Sequence, residues 1–177
     1  LGRPPVTVGP GLKTGLKMRL EGVAAVGADF ICNAAEAAAA PGEEARVVID
    51  LGGAATTLLA LDREKTLVGR AIAPGVRLGV DALCQRAALL PAVPLEGECS
   101  LLAKSTQGAV RAGALFGAAA LVEGLFGRCR EALGEPAALW VTGEAAPLVL
   151  PLCRAPALHR PDLLLEGLFR LYQKNAD

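Results

Sequence analysis

The stretch Arg46-Val47-Val48-Ile49-Asp50-Leu51-Gly52-Gly53 decides the fold class. A β-branched run that closes on an acid and two glycines predicts a buried strand leading into a tight turn. A carboxylate at the end of a buried strand is costly unless it takes hydrogen bonds or binds a cation. The glycines after it let backbone N–H groups approach an anion. Taken alone, the stretch fits equally a phosphate site and a hairpin whose Asp50 caps its own turn.

Outward from this stretch, the pattern predicts alternating strands and helices. Helices are expected at 23–40, 76–90, 106–133 (capped by Ser105), 145–150 and 161–174, and strands at 46–53, 56–62, 67–72, 137–142 and near 153–158. The long helix carries five glycines, which lower its propensity, so we expect it to pack tightly against another element. This order predicts an α/β protein with a mixed sheet between helices.

Composition excludes several classes of function. The 177 residues carry 18 Lys plus Arg against 18 Asp plus Glu and are only 3% aromatic, which argues against nucleic-acid binding. A single histidine makes histidine triads and multi-histidine zinc sites improbable, and five scattered cysteines without a CxxC pair indicate reduced thiols. The most apolar run, 112–122, is too short to cross a bilayer, so we expect a soluble, cytoplasmic protein without a membrane partner.

Three further segments could carry chemistry. Asp29 follows Gly27-Ala28 at the start of a helix and could be a general base for a hydroxyl or a simple N-cap. Thr142-Gly143 after a strand suits a nucleotide that passes close to the backbone. Thr106, in the polar helix start 104–106, could meet an anionic ligand or belong to an ordinary cap.

Taken in order, these segments resemble the type III pantothenate kinase family over nearly the whole chain. Gly9-Pro10-Gly11-Leu12-Lys13-Thr14-Gly15 is similar to the family's GPGxKTG loop, and Val26-Gly27-Ala28-Asp29 to the start of its VGADR motif. Asp50-Leu51-Gly52 resembles DxGTATT, and Ala71-Ile72-Ala73-Pro74-Gly75 resembles GGAIAPG. Lys104-Ser105-Thr106 resembles GxST, and 139–143 resembles the strand before the TGG turn.

The resemblance implies an actin-like ATPase fold of the sugar-kinase and Hsp70 type, with a mixed sheet and helices on both faces. It also implies phosphorylation of the 4′-hydroxyl of pantothenate by ATP in coenzyme A synthesis, by a homodimer that uses Mg²⁺ and a monovalent cation, K⁺ or NH₄⁺. Such phosphoryl transfer depends on positioning and charge neutralisation and needs no histidine. By position, the residues implied are Asp29 as general base, Gly27, Ala28, Asp29, Phe30 and Thr106 around pantothenate, Gly52, Gly53, Thr56 and Gly143 at ATP, and Asp50 at the monovalent cation.

Several positions depart from the family pattern. The Arg of GADR is Phe30, and the first Gly of GGAIAPG is Arg70. The two threonines of DxGTAT fall at Gly53 and Ala55, unless one residue is inserted and Thr56-Thr57 take their place. The second Gly of TGG is Glu144, an acid where a nucleotide would pass. Two interpretations stay open: part of a working or formerly working pantothenate kinase, or a degenerate homologue that acts as a partner or regulatory subunit. In both, we expect little or no kinase activity from this chain alone.

The start of the chain shapes the expected domains. No counterpart of the family's DxGNT motif precedes Gly9, and the first residue is not Met. We therefore expect residues 1–45 to be the end of a first actin-like lobe with a linking helix, and 46–177 to be the second lobe. The apolar face of that helix would then lack its usual strands, so we expect another copy to cover it.

Overall fold

The structure, a computed structural model, describes residues 5–9, 11–22 and 26–176. Its centre is a six-stranded mixed sheet in the order β1-β4-β3-β2-β5-β6. The strands are β1 (Lys17–Met18), β2 (Ala45–Leu51), β3 (Ala55–Leu61), β4 (Thr66–Pro74), β5 (Ala137–Thr142) and β6 (Leu158–His159). The helices are α1 (Ala28–Ala39), α2 (Val76–Arg86), α3 (Thr106–Leu133), α4 (Ala146–Val149) and α5 (Leu163–Asn175).

The strand pairing confirms the predicted mixed sheet. β2, β3 and β4 form an antiparallel meander, whereas β5 runs parallel to β2 and β6 parallel to β5. In this register Asp50 lies opposite Thr57 of β3 and opposite Thr142 of β5. Because β2 and β5 are parallel, the turns that follow them lie at the same edge of the sheet.

Alternation along β2 divides the hydrophobic core between the two faces of the sheet. Val47, Ile49 and Leu51 belong to the core under α2, α3 and α4, whereas Val48 belongs to the core under α1 and α5. This is the period of two expected for a strand buried on both faces. The Asp50 side chain therefore projects to the same face as Val48, toward α1.

The layer formed by α1 and α5 is closed by polar as well as apolar contacts. Arg46 is 1% exposed, and its guanidinium donates to the backbone oxygens of Ala37, Ala40 (2.9 Å) and Pro41 at the end of α1. The guanidinium of Arg46 also lies 4.9 Å from the ring centroid of Trp140. Arginine therefore satisfies helix-end carbonyls that would otherwise be buried without partners.

The layer that contains α3 is more open. Ser105 caps this helix as predicted, with its Oγ accepting from the N–H of Gly108 at 3.1 Å. A β-carbon added at Gly113, Gly117 or Gly127 would meet nothing within 4 Å, so the tight packing expected there is wrong for these three glycines. By length and composition alone α3 is apolar enough to cross a membrane, and 28% of its most apolar window is buried. A core helix of a soluble protein, which is mostly buried, passes the same test of length and composition.

The remaining element predictions differ in their boundaries. α1 begins at Ala28, and residues 23–25 of the predicted helix lie outside the described part of the chain. The strand predicted near 153–158 is shorter and later, at Leu158–His159, and β1 was not predicted. The apolar face of α1 is covered by the sheet and α5 of the same chain, so the exposed face expected there is not found. The division into lobes at residue 45 stays a prediction.

Candidate functional site

The turn between β2 and β3 is held in place by the start of α2. The N–H of Gly75 donates to the Ala54 oxygen at 3.0 Å, and the N–H of Leu78 donates to the Gly53 oxygen at 3.1 Å. A β-carbon at Gly75 would come to 2.6 Å of the Gly52 oxygen, so only glycine allows this approach. The glycine turn predicted from the sequence is therefore a fixed loop.

The turn after β5 lies against the end of β2. Gly143 has a φ of +96°, and a β-carbon there would come to 2.5 Å of Asp50 Oδ1. The N–H of Ala145 donates to the Leu51 oxygen at 3.0 Å, which fastens the two turns to each other. Gly52, Gly53 and Gly143 thus meet at one edge of the sheet, beside the Asp50 carboxylate.

Asp50 is surrounded by polar side chains on the face that α1 covers. Asn33 of α1 donates from Nδ2 to Asp50 Oδ2 at 3.1 Å, and the cross-strand neighbours Thr57 and Thr142 are both buried. Burial raises the pKa of the Asp50 carboxyl, the hydrogen bond from Asn33 lowers it, and the negative charge of Asp29 raises it further. A group whose pKa is raised by burial and a neighbouring charge is typical of functional sites.

Asp29 lies in the first turn of α1, one helical turn before Asn33. Its carboxylate folds back over Gly27, where an added β-carbon would overlap Oδ1. Gly27, Ala28 and Asp29 are all exposed, so a ligand can reach this helix start. The Phe30 ring, by contrast, is 5% exposed within the core under α1, so a ligand could meet this residue only through its backbone.

Thr56 and Thr106 line one groove between α2 and α3. This cavity of about 550 Å³ also contains the small residues Gly113 and Gly117 of α3 on its wall. Thr56 is 3% exposed and Thr106 is exposed at the start of α3. The structure therefore brings together two threonines that the resemblance assigns to different substrates.

Glu144 is the acid that departs from the family pattern, and its carboxylate lies over the first glycine turn. A β-carbon at Gly53 would overlap Glu144 Oε1, so this carboxylate occupies the space that a side chain at position 53 would fill. Glu144 is exposed. A negative charge at this place opposes the approach of a phosphate group.

The Gly9–Gly15 loop, described except for Pro10, is fastened to the end of α5. The N–H of Lys13 donates to Asn175 Oδ1 at 3.0 Å, and Asn175 Nδ2 donates to the Lys13 oxygen at 3.0 Å. The Lys174 ammonium covers Gly15, where an added β-carbon would overlap it. These contacts give the loop a structural role in this chain.

The donors around Asp50 fit a monovalent cation. A carboxylate, an amide oxygen and threonine hydroxyls are hard oxygen ligands, and the Asn33 Oδ1 atom is buried without a hydrogen-bond partner among the described residues. Within the same residues, no three or more His, Cys, Asp or Glu side chains converge on a metal-sized point. The turns with Gly52, Gly53 and Gly143 bring backbone to the end of β2, as a phosphate site requires, and Glu144 opposes a phosphate by charge.

Of these side chains, Asn33 was not predicted from the sequence at all, whereas Thr57 and Thr142 were predicted near a phosphate or a nucleotide and not beside a cation at Asp50. Asn33 follows Asp29 by four residues on one helix, and that spacing places both on one face. This spacing was the available signal. The place of the two threonines beside Asp50 follows from strand register, which the sequence alone does not supply.

The sheet order and the acid followed by glycine turns at its carboxyl edge are those expected of an actin-like phosphotransferase lobe. The family model for type III pantothenate kinase matches residues 1–128 of the chain. The chain is also 36% identical over 172 residues to a type III pantothenate kinase of Bacillus cytotoxicus, covering 97% of this chain and 65% of that relative. Against relatives of the same name from Moorella thermoacetica and Thermobifida fusca, identity is 38% and 39% over 175 residues.

The chain therefore belongs to the type III pantothenate kinase family, which has the actin-like ATPase fold. The match to the Moorella relative covers 99% of this chain and 68% of that relative. The match to the Thermobifida relative covers 97% of this chain and 67% of that relative. The chain thus spans about two thirds of the length of the relatives it matches. The predicted family and fold class are confirmed.

Proposed function

We propose that this site transfers a phosphoryl group from ATP to the 4′-hydroxyl of pantothenate, as a slow kinase of coenzyme A biosynthesis. The observation that carries the proposal is the meeting of Asp29, Asp50 and the two glycine turns at one edge of the sheet. The printed names of the relatives, type III pantothenate kinase, support the choice of substrate.

In the proposed reaction Asp29 accepts the proton of the 4′-hydroxyl while that oxygen attacks the γ-phosphorus of ATP. The bond from the γ-phosphorus to the bridging oxygen breaks, and ADP leaves with the electron pair. Mg²⁺ and a monovalent cation would supply charge neutralisation when bound. Asp50 would hold the monovalent cation, and Gly52, Gly53 and Gly143 would bring their backbone close to the phosphates.

Pantothenate would bind along the start of α1 and at the Thr106 end of the α2–α3 groove, away from Gly113 and Gly117. Gly27, Ala28 and the backbone of Phe30 flank Asp29, and Thr106 lies on the groove wall. Thr56 shares that groove, so its proposed contact with ATP requires the phosphates to reach the groove's end. Slow turnover follows from Glu144, whose charge opposes the triphosphate, and from the absence of a hydroxyl at Gly53.

The test is product formation by the purified chain with ATP, Mg²⁺ and K⁺, followed by mass spectrometry of phosphopantothenate. We expect slow formation by the natural chain and a loss of at least about 100-fold in Asp29→Asn, because general-base catalysis contributes about 10²–10⁴. Asp81→Asn, an acid on α2 outside the site, is the matched control and should keep the natural rate. Equal rates for Asp29→Asn and the natural chain would contradict the assignment of the base.

We further propose that a second copy of the chain covers the α2–α3 groove and makes a homodimer. The support is physical: Gly113 and Gly117 face open space in an apolar groove, which leaves the helix propensity lost at these glycines without a compensating contact. A dimer should appear in sedimentation at micromolar concentration. Gly117→Arg should shift it to monomer, whereas Gly127→Arg, on the same helix outside the groove, should not. A natural chain that is monomeric would contradict this.

The proposed place of action is the cytoplasm, without a membrane or nucleic-acid partner. Glu144 also favours a non-catalytic partner or regulatory subunit, because its charge weakens the site for ATP. The Glu144→Gly variant distinguishes the two possibilities. Removal of the charge should increase phosphorylation in a slow kinase and should have no such effect in a non-catalytic subunit.

A further inference from the structure

Asn33 is a buried polar residue with an incomplete set of hydrogen bonds. It is 1% exposed, its Nδ2 donates to Asp50 Oδ2 at 3.1 Å, and its Oδ1 has no partner among the described residues. An unsatisfied buried amide oxygen carries a desolvation penalty, which the fold offsets nowhere else among the described residues. A residue that carries this cost is a candidate for a role in the site.

The two oxygens of the Asp50 carboxylate have different surroundings. Oδ2 accepts from Asn33, whereas Oδ1 lies at the glycine turns, 2.5 Å from a β-carbon placed on Gly143 and 3.9 Å from one placed on Gly52. The hydrogen bond on Oδ2 therefore fixes the carboxylate rotation that points Oδ1 toward the turns. Without it, the carboxylate could turn about its χ2 angle, which has a broad range.

We propose that Asn33 is a positioning residue that holds Oδ2 of Asp50 so that Oδ1 faces the glycine turns, where a monovalent cation binds. The proposal rests on the proposed function for the presence of a cation at Asp50. A bound cation also provides the partner that Asn33 Oδ1 lacks, because an amide oxygen is a good ligand for a hard cation. Asp29 and Asn33 share one face of α1, so the same helix would place the base and orient the cation's carboxylate.

If Asn33 positions Asp50, its replacement should weaken cation binding specifically, beyond a general loss of fold stability. Partners that orient a metal ligand typically contribute about 10–100-fold to affinity. Asn33→Ala should therefore weaken K⁺ binding about tenfold or more. A purely structural role would lower the melting temperature in all salts and leave the K⁺ dependence unchanged.

The experiment titrates KCl against tetramethylammonium chloride at constant ionic strength and follows the melting temperature, without pantothenate and in parallel with and without ATP. The natural chain is compared with Asn33→Ala, Asn33→Ser and Cys32→Ala. Cys32 is the matched control, because it is buried on the same helix and makes no hydrogen bond to Asp50. We expect a K⁺-specific rise that persists in Cys32→Ala and moves to about tenfold higher KCl in both Asn33 variants.

A second measurement does not depend on the folding of a variant. In the ¹⁵N-labelled natural chain, KCl should shift the side-chain amide signals of Asn33, and tetramethylammonium chloride should not. An unchanged K⁺ dependence in the Asn33 variants, or no amide shift in the natural chain, would overturn the inference. Because neither readout requires product formation, K⁺ binding with no phosphorylation would instead count against the proposed function alone.

Discussion

The two helical layers of this molecule pack against the sheet to different degrees. α1 and α5 close their side of the sheet with buried arginine, an aromatic ring and close backbone contact, whereas α3 turns Gly113 and Gly117 toward an open groove. On the closed side, Arg160 lies 4.5 Å from the Trp140 ring centroid and pairs with Glu36, which also accepts from Arg170 Nε at 2.7 Å.

The two layers contribute different parts of the site. The closed layer carries Asp29 and Asn33, whose positions must be fixed for proton transfer and for orientation of Asp50. The open layer provides Thr56 and Thr106 on the wall of a cavity of about 550 Å³, which is the size of a small-molecule site. Rigid placement of acids and an open space for ligands are thus supplied by opposite faces of one sheet.

The largest expected effect is on the closed layer, at the contact between α5 and α1. A β-carbon at Gly167 would overlap the Cys32 carbonyl and come within 3.1 Å of its Cα, and backbone atoms cannot swing aside. Gly167→Ala should therefore lower the free energy of unfolding by about 1–3 kcal/mol. Urea denaturation measures this, and a variant as stable as the natural chain would show that the α1–α5 contact is loose.

A glycine-to-alanine substitution on the open layer should change the free energy of unfolding in the opposite direction. Gly127 lies inside α3 with nothing within 4 Å of an added β-carbon. Gly127→Ala should raise the free energy of unfolding by about 0.5–1 kcal/mol, because alanine restricts the unfolded chain and favours helix. The same urea titration serves as the measurement. Destabilisation here would mean that this face of α3 is packed.

The smallest effect concerns a single carboxylate on the open layer. Glu123 of α3 accepts from the backbone N–H groups of Arg154 and Ala155, and these bonds lower its pKa below the ordinary 4.5. A lowered pKa contributes stability above the unfolded-state value, and that contribution is lost as the pH falls through the folded-state value.

Glu123→Gln should therefore melt slightly below the natural chain at neutral pH, and the gap should close as the pH falls from the ordinary value of 4.5 through the lower folded-state pKa. Thermal melts from pH 7 to pH 3 followed by circular dichroism measure this gap. A gap that stays constant across the range would show that the charge on Glu123 contributes nothing.

Local sequence signals predicted most of the elements that follow residue 45. The β-branched run of β2, the Ser105 cap of α3 and the bounds of β5 come from residues that act on their own neighbours, and they were predicted closely. β1 was missed because its two residues become a strand only by pairing with β4, a contact between distant parts of the chain.

The candidate site divides in the same way. Asp29, Asp50 and the glycine turns follow from motif spacing, whereas Asn33, Thr57 and Thr142 depend on helix placement and strand register. The position of Phe30 depends on tertiary packing too, because its ring turns to the core although the motif suggests a ligand site. The approach of the Glu144 carboxylate to position 53 also depends on tertiary structure, which the sequence alone does not supply.

The most direct test of the account compares pantothenate phosphorylation by Glu144→Gly with that by the natural chain over a range of ATP concentrations. Removal of the carboxylate from the glycine turn should lower the KM for ATP about tenfold, which corresponds to about 1.4 kcal/mol of binding free energy. The product should remain phosphopantothenate, and a further Asp29→Asn change should abolish it. Absence of phosphopantothenate in both chains would contradict a phosphotransfer site, and an unchanged KM would contradict the role given to Glu144.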